Sequence, residues 1–387
     1  MKNINEMTKR RFHNLFQPIS FGSLNLPNRI FFASMGLGMA NSNGGFSQDL
    51  LNFYSDIMDG GCNLSFLANA SVSPSSRLGK GGLCLYNEEQ ADSLIPIFNL
   101  ANTKNCIVGV QLQHYGGQGS VINDFPLLTP SGTSCKKYSN QNQSHNIKAM
   151  DQNEINEVIN QFANSAELAM NAGAKLIQLQ ASNGYLLSSF LSPYTNSRND
   201  IYGGSEENRA RLLLEVIAAI SKRTKDQLTI TVRLGIDDRL GKDGLQPHLL
   251  IKTVRLLEQA GIGAIECSMC INETFKDFLK YSKEMDEYLC SGVKLIKSKT
   301  SLPVGFAGFV DSLDKAERLI TEGVADFIGM TRALFADNEL ISKTLAGKDN
   351  LIDRCLWDGN CFKDKSNPNF GRVYCCVNPK YLRPSTN

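Results

Sequence analysis

Two glycine-rich segments have residue types that suit phosphate binding. Gly305-Phe306-Ala307-Gly308 and Gly329-Met330-Thr331-Arg332 each end a short apolar stretch. Small residues let backbone N–H groups approach a phosphate, and the guanidinium of Arg332 can add a bidentate contact. Glycines at strand ends are also typical of plain turns, so both interpretations stay open on these residues alone. No GxGxxG follows a strand-like stretch and no GxxxxGK[ST] occurs, so a Rossmann-type dinucleotide site is not supported.

The elements that must position these segments form a repeating pattern. Amphipathic helices end at a glycine and an apolar strand follows soon after, at Gly60-Gly61, Gly173, Gly261 and Gly323. The stretches predicted as strands are Arg29–Ser34, Asn63–Asn69, Ile107–Gln113, Lys175–Gln180, Leu228–Leu234, Gly263–Ser268, Pro303–Phe306 and Ala325–Met330. Because they are apolar throughout, they indicate a parallel sheet covered by helices. The predicted fold class is α/β, as a TIM (β/α)8 barrel.

The helices between these strands have their own sequence signals. Apolar residues recur at helical spacing over 152–172, and Asp151 with Glu154 forms the pattern of a capping box. Pro247 is expected to open the next helix, whose apolar stripe is Leu250, Val254 and Leu257.

Two long segments interrupt the repeat. Residues 114–150 follow the third strand, and residues 266–290 follow the sixth. Both leave the carboxyl ends of strands, where barrel enzymes keep their sites, so we predict lid insertions over a substrate. Insertions without a function are the alternative, since loops tolerate added length well.

One long run is distinctive. QLQASNGYLLSSFLSPYTNSRNDIYGGSEENRAR, from Gln178 to Arg211, resembles the Old Yellow Enzyme family of NADH:flavin oxidoreductases, in its bacterial branch. Further blocks follow in the family's order, namely LFQPISFGSLNLPNRIFFASM, VGVQLQHYGGQ, TVRLGI, PVGFAGF, FIGMTRALFAD and CVNP. The resemblance runs from Leu15 to Pro379. It implies one FMN-binding barrel domain over 1–387. Residues 348–387 show no regular pattern, and we expect them to form an irregular tail packed on the barrel.

The resemblance also assigns residues to the cofactor. In such enzymes FMN lies over the carboxyl ends of the strands and takes hydride from NADH or NADPH. Gln111 matches the glutamine on the flavin pyrimidine, and Arg233 matches the arginine near flavin N1; a structural ion pair is the alternative for Arg233. The loop against the flavin ring is matched by Ala33, Ser34 and Met35, and the phosphate binders by Ala307, Gly308 and Arg332, with Thr331 in place of a common glycine.

Three residues match the family's substrate-binding positions. The family pattern is histidine, then histidine or asparagine, then tyrosine, and here these positions hold Gln180, Asn183 and Tyr185. The first two would bind the carbonyl oxygen of an unsaturated carbonyl substrate, and the tyrosine would protonate the alpha carbon. Gln180 departs from the pattern, because an amide can donate a hydrogen bond but cannot become cationic. We therefore expect Gln180 to activate the substrate carbonyl more weakly than a histidine at this position would. A second departure is Gly36, where relatives carry a side chain that tunes the flavin.

The cysteine-containing tail differs from that of larger relatives. These have a four-cysteine iron–sulfur site that begins CxxC, but here Asp358 holds the second position after Cys355. One thiolate is missing and the spacing to Cys361, Cys375 and Cys376 has shifted. We therefore predict no metal, with a zinc site on the remaining cysteines as the alternative.

Net charge, apolar stretches and cysteine content limit the partners and the cellular location expected for this chain. The net charge is +2, so nucleic acid is not an expected partner. The first residues have no signal-peptide core, and no apolar stretch is long enough to cross a bilayer. The 11 scattered cysteines are then expected to be reduced thiols of a cytoplasmic protein. The resemblance implies a homodimer or larger homo-oligomer.

Three functional hypotheses remain. The first is an FMN-dependent ene-reductase. The second is a flavin enzyme of the same fold that catalyses isomerisation or desaturation, because carbonyl activation is altered. The third is a non-catalytic flavin-binding barrel or a phosphosugar-type barrel enzyme.

Overall fold

Eight parallel strands close into a barrel in this computed structural model, which describes residues 11–77, 79, 81–119, 125–132, 147–365 and 371–384. Each strand pairs with the next in chain order, and the eighth strand pairs with the first, which closes the barrel. The strands are β1 (Ile30–Phe32), β2 (Leu64–Phe66), β3 (Ile107–Gln113), β4 (Leu176–Ala181), β5 (Thr229–Asp237), β6 (Ala264–Met269), β7 (Val304–Ala307) and β8 (Phe327–Gly329). The predicted TIM barrel is confirmed, and each strand overlaps its predicted stretch.

Helices alternate with the strands and cover the outside of the barrel. The longer ones are α1 (Gln48–Asp59), α2 (Ile95–Thr103), α3 (Gln152–Asn171), α4 (Glu206–Thr224), α5 (Ile251–Gln259), α6 (Lys283–Lys297) and α7 (Leu313–Thr321), and a short helix, α8 (Leu340–Leu345), comes after β8. Shorter helices are Glu88–Asp92, Leu186–Leu191, Phe275–Leu279, Thr331–Ala336 and Asn360–Lys365. Short strands outside the barrel are Ile19–Phe21, Leu24–Leu26, Ala70–Ser71, Leu83–Cys84, Leu127–Thr129 and Ile147–Ala149.

Local signals in the sequence account for several helix ends. The carboxylate of Asp151 accepts hydrogen bonds from the backbone N–H of Asn153 and Glu154, and Glu154 accepts one from the N–H of Asp151. This is the predicted capping box. Gly61 and Gly173 have φ of 103° and 110°, values that L side chains rarely adopt. The helix predicted at Pro247 instead starts as a 3₁₀ turn, Pro247–Leu250, before α5.

An aromatic layer fills the lower half of the barrel, which is the half at the amino ends of the strands. The rings of Phe21 and Phe31 pack against that of Phe327, with centroids 4.7 and 5.2 Å away. Phe21 comes from the N-terminal hairpin, which closes this end. A Cβ on Gly305 would lie 2.5 Å from the Phe327 ring, so glycine is required beside it. Because this half is apolar, polar side chains inside the barrel are expected in the other half, at the carboxyl ends of the strands.

The two predicted lid segments differ in what the structure describes. Within 114–150, residues 120–124 and 133–146 lie outside the described residues. The segment after the sixth strand is shorter than predicted, because β6 continues to Met269 and α6 begins at Lys283. Its residues 270–282 include the helix Phe275–Leu279, which lies over the carboxyl ends of the strands and lines the cavity described below.

Candidate active site

A cavity of about 730 Å³ opens at the carboxyl ends of the barrel strands. This volume is in the usual range for a small-molecule or cofactor site. The described residues that line it include no Asp, Glu or His but four cations, namely Arg233, Lys276, Arg332 and Lys363. The electrostatic character of the cavity therefore suits an anionic ligand.

The segment after β1 forms one wall of this cavity. Ala33, Ser34 and Met35 all line it. The backbone N–H of Ala33 donates to the hydroxyl of Thr331 at 3.0 Å, so Thr331 ties this wall to the segment after β8. The hydroxyl of Ser34 is buried and has no hydrogen-bond partner among the described residues. A buried hydroxyl without a partner at a cavity wall is consistent with a polar ligand group there.

Polar side chains of neighbouring strands form the floor of the cavity. Gln111 Nε2 donates to Gln178 Oε1 at 2.7 Å, and Gln178 Nε2 donates to Glu266 Oε2 at 2.9 Å. Arg233 Nε lies 3.4 Å from Glu266 Oε1, and Arg233 Nη1 donates to the Ser34 carbonyl at 3.0 Å. Burial raises the pKa of the Glu266 carboxyl, while Arg233 and Gln178 oppose this shift. The predicted Gln111 and Arg233 thus belong to one buried network.

The segments after β7 and β8 form the opposite end. Arg332 Nη1 donates to the Leu279 carbonyl at 2.6 Å, and the guanidinium lies 4.2 Å from the centroid of the Trp357 ring. These contacts engage part of its fork of donors, which has five N–H groups. A Cβ on Gly308 would lie 2.6 Å from Leu289 of α6. A larger residue at this position would therefore have to displace the Leu289 side chain of α6.

Gln180 and Tyr185 both face the cavity. Gln180 is the last but one residue of β4, and its Oε1 accepts a hydrogen bond from the Ser182 hydroxyl at 2.7 Å. The amide nitrogen of Gln180 is thereby left to donate into the cavity. Tyr185 precedes the helix Leu186–Leu191 and lines the same cavity. The structure therefore brings these two predicted residues together with Arg233.

Asn183 has a different orientation from the one its predicted role needs. It adopts a left-handed conformation, with φ of 60°, in the tight turn after β4. Its Nδ2 donates to the carbonyls of Met269 and Cys270, at 3.1 and 3.2 Å. Both hydrogens of the amide are thus used by the end of β6. The side chain would have to turn before it could donate to a substrate.

Several site residues were not predicted from the sequence. Tyr115 lines the cavity, its ring lies edge-on to Tyr185 with centroids 5.0 Å apart, and its hydroxyl accepts a hydrogen bond from Asn69 Nδ2 at 2.6 Å. Burial, together with nearby Tyr185, raises the pKa of Tyr115 well above its usual value. Gln178 and Glu266 were also missed. Both are polar residues two positions before a cavity residue on the same strand, and this period of two is the signal that could have found them.

The tail contributes to the wall around Arg332. Trp357, Cys361 and Phe362 line the cavity, and the rings of Phe362 and Phe275 lie 4.6 Å apart. Cys135 lies outside the described residues, and within them no group of three or more His, Cys, Asp or Glu side chains is placed to hold a metal ion. No helix in the same part of the chain is both long and apolar enough for a membrane span.

Comparisons with known proteins agree with this architecture. The model of the NADH:flavin oxidoreductase / NADH oxidase family matches residues 14–350. An NADH oxidase of Thermoanaerobacter brockii is 31% identical over 375 residues, which cover 95% of this chain and 56% of that protein. An NADPH dehydrogenase of Clostridium acetobutylicum is 24% identical over 341 residues, covering 88% of this chain and 96% of that protein.

A solved structure supports the same fold. A 2-naphthoyl-CoA reductase in complex with 2-naphthoyl-CoA has a TM-score of 0.86 at 23% identity, over 96% of this chain and 57% of that one. The chain spans about half the length of several curated relatives that it matches. The family match nevertheless covers all eight strands of the barrel. The chain belongs to the NADH:flavin oxidoreductase / NADH oxidase family, whose cofactor is FMN and which uses NADH or NADPH.

Proposed function

We propose that this chain is an FMN-dependent oxidoreductase that takes hydride from NADH or NADPH and reduces the activated C=C bond of an α,β-unsaturated carbonyl compound. The observation that carries the proposal is one cavity at the carboxyl end of the barrel that joins Arg233, Arg332, Gln180 and Tyr185. Carbonyl binding, proton donation and cofactor binding all need groups in such a cavity.

The cavity fits FMN by its charge and its unpaired groups. FMN has a phosphate dianion at one end, and the cavity offers Arg332 and backbone N–H groups after β8. The Ser34 hydroxyl, which has no hydrogen-bond partner in the described part of the chain, and the side chain of Gln111 are available to a polar ring. We propose that Ala33 and Met35 lie against that ring and that Ala307, Gly308 and Thr331 lie near the phosphate. When bound, FMN supplies a group that can accept and pass on hydride.

The protein's own groups would then handle charge and protons. Arg233 places a fixed cation at the cavity floor, which favours negative charge above it. Gln180 Nε2 would donate to the substrate carbonyl oxygen, and Asn183 would join it if its amide turned away from β6. The Tyr185 hydroxyl would give its proton to the carbon alpha to the carbonyl. The substrate is a small molecule, and we propose that the protein acts as a homo-oligomer.

A second function is favoured by one observation. Gln180 is a neutral donor and the Asn183 amide is engaged by the carbonyls of Met269 and Cys270, so activation of a carbonyl is weaker than with two free donors. Isomerisation or desaturation, with the same cofactor, would tolerate this loss better. The two candidates differ in whether the substrate is a net acceptor of electrons.

Purified protein separates these candidates. We expect a yellow solution whose colour is bleached anaerobically by NADH or NADPH and restored by cyclohexenone or another electron-poor alkene. Restoration by no alkene in a panel, while an isomerisation or desaturation is measured, would favour the second function. Colourless protein that takes up no FMN would refute both and favour a barrel without flavin.

Two variants test the proton donor. Tyr185→Phe removes only the hydroxyl, so we expect slow turnover of the alkene with unchanged bleaching by the nicotinamide. The matched control is Tyr194→Phe, which removes a hydroxyl from a residue that is not part of the cavity wall. Equal effects of the two substitutions on alkene turnover would contradict the role of Tyr185.

A further inference from the structure

Glu266 is a buried carboxylate directly beneath the cavity. It lies on β6 in register with Arg233 of β5, and only 1% of the residue is exposed. Its Oε2 accepts the hydrogen bond from Gln178 Nε2 at 2.9 Å. Its Oε1 accepts no hydrogen bond from the described residues and faces Arg233 Nε at 3.4 Å. Among the described residues, Glu266 forms an ion pair with Arg233 alone, and Arg233 also lines the cavity.

The charge of Glu266 also decides how two amides are oriented. A carboxylate can only accept, so the NH₂ group of Gln178 must point towards it. The Oε1 of Gln178 must then face Gln111, and it accepts from Gln111 Nε2 at 2.7 Å. Through Gln178, Glu266 therefore determines which hydrogen-bonding atoms Gln111 presents to the cavity.

We infer that Glu266 is a positioning residue that lowers the reduction potential of bound FMN. It offsets part of the positive charge of Arg233 and fixes the amide of Gln111 through Gln178. This inference rests on the proposed function, in which the flavin ring of FMN lies beside Arg233 and Gln111. Two-electron reduction by hydride adds negative charge to the flavin, so a carboxylate close to the compensating arginine disfavours the reduced form.

The test is the midpoint potential of the FMN-loaded protein. Glu266→Gln keeps the size of the side chain and removes its charge, so Arg233 is no longer offset. We expect the ratio of reduced to oxidised FMN affinity to rise about tenfold, which for a two-electron couple is a positive shift of about 30 mV. The potential is measured by anaerobic equilibration with a reference dye, and FMN affinity by titration.

The control is a different buried carboxylate with a cationic partner. Asp286 of α6 pairs with Lys315 and is not part of the cavity wall, so Asp286→Asn should leave the potential unchanged. If Glu266→Gln does not fold, Glu266→Asp serves in its place, because the shorter side chain moves the charge away from Arg233. A smaller shift in the same direction is then expected.

The outcomes distinguish this inference from the function on which it rests. An unchanged or lowered potential in a Glu266 variant that still binds FMN overturns the inference alone. The same holds if Asp286→Asn shifts the potential equally. Failure of the unaltered protein to bind FMN overturns the proposed function instead.

Discussion

Replacing Gln180 by leucine removes one hydrogen-bond donor from the cavity while it preserves the volume of the side chain. The amide Oε1 accepts from the Ser182 hydroxyl at 2.7 Å, but that hydroxyl also lies 2.8 Å from Asn183 Oδ1. Ser182 therefore keeps an acceptor after the substitution. The expected cost in the free energy of unfolding is no more than about 1 kcal/mol, the net value of one hydrogen bond.

The expected cost to catalysis is larger. Loss of an amide donor to a developing oxyanion typically costs about 2.7 kcal/mol or more in the barrier, or about 100-fold in rate. Asn183 does not replace the missing donor, because its Nδ2 is engaged by Met269 and Cys270. We therefore expect Gln180→Leu to reoxidise about 100-fold more slowly with cyclohexenone.

The assay is anaerobic stopped-flow absorbance of protein reduced with dithionite. Reoxidation by oxygen is the internal control, since it needs no donor to a carbonyl. If the rates with enone and oxygen change by the same factor, or if neither changes, the reasoning about Gln180 is refuted. Gln180→His should raise the enone rate and tighten the binding of a phenol, because imidazole can carry charge. If Gln180→His changes neither the enone rate nor the binding of a phenol, the hypothesis that Gln180 weakens carbonyl activation is contradicted.

Three further substitutions have defined outcomes. Burial raises the pKa of Asp238 to about 6, so its native form binds a proton more tightly than the unfolded chain, and stability is lost as pH rises from about 4 to about 6. The difference in free energy of unfolding between Asp238→Asn and the unaltered protein, measured with urea, should therefore shift in favour of the variant by up to about 3 kcal/mol over that range. A difference that does not depend on pH would contradict this. Arg332→Gln should weaken FMN binding at least tenfold by fluorescence titration, whereas the exposed Arg354→Gln should not, and equal losses would argue against a phosphate site. Phe327→Ala should cost about 3–5 kcal/mol in the free energy of unfolding, against almost nothing for the exposed Leu351→Ala, and a similar small cost for both would contradict the aromatic layer.

The predicted strands were confirmed because their signals are local. A run of apolar residues after a helix-ending glycine has few other structures available to it, and Gly173 with φ of 110° shows why that residue type was needed. The capping box at Asp151 is similarly contained within four residues. Predicted boundaries were less accurate at β5, which continues to Asp237 through an irregular register beside β6. Such pairing depends on the neighbouring strand and not on the residues of β5 themselves.

The site, too, has features that the sequence predicts and features that only the tertiary structure shows. From residue types and the resemblance alone, Arg233, Gln180 and Tyr185 could be named and placed at one end of the barrel, because the carboxyl ends of parallel strands meet there. The sequence could not reveal that Asn183 donates to the carbonyls of Met269 and Cys270, 86 and 87 positions away, or that Gln178 connects Gln111 to Glu266. Local patterns determine which residues form each strand and turn. Which way a polar side chain points is decided by partners that only the closed barrel brings within hydrogen-bond distance.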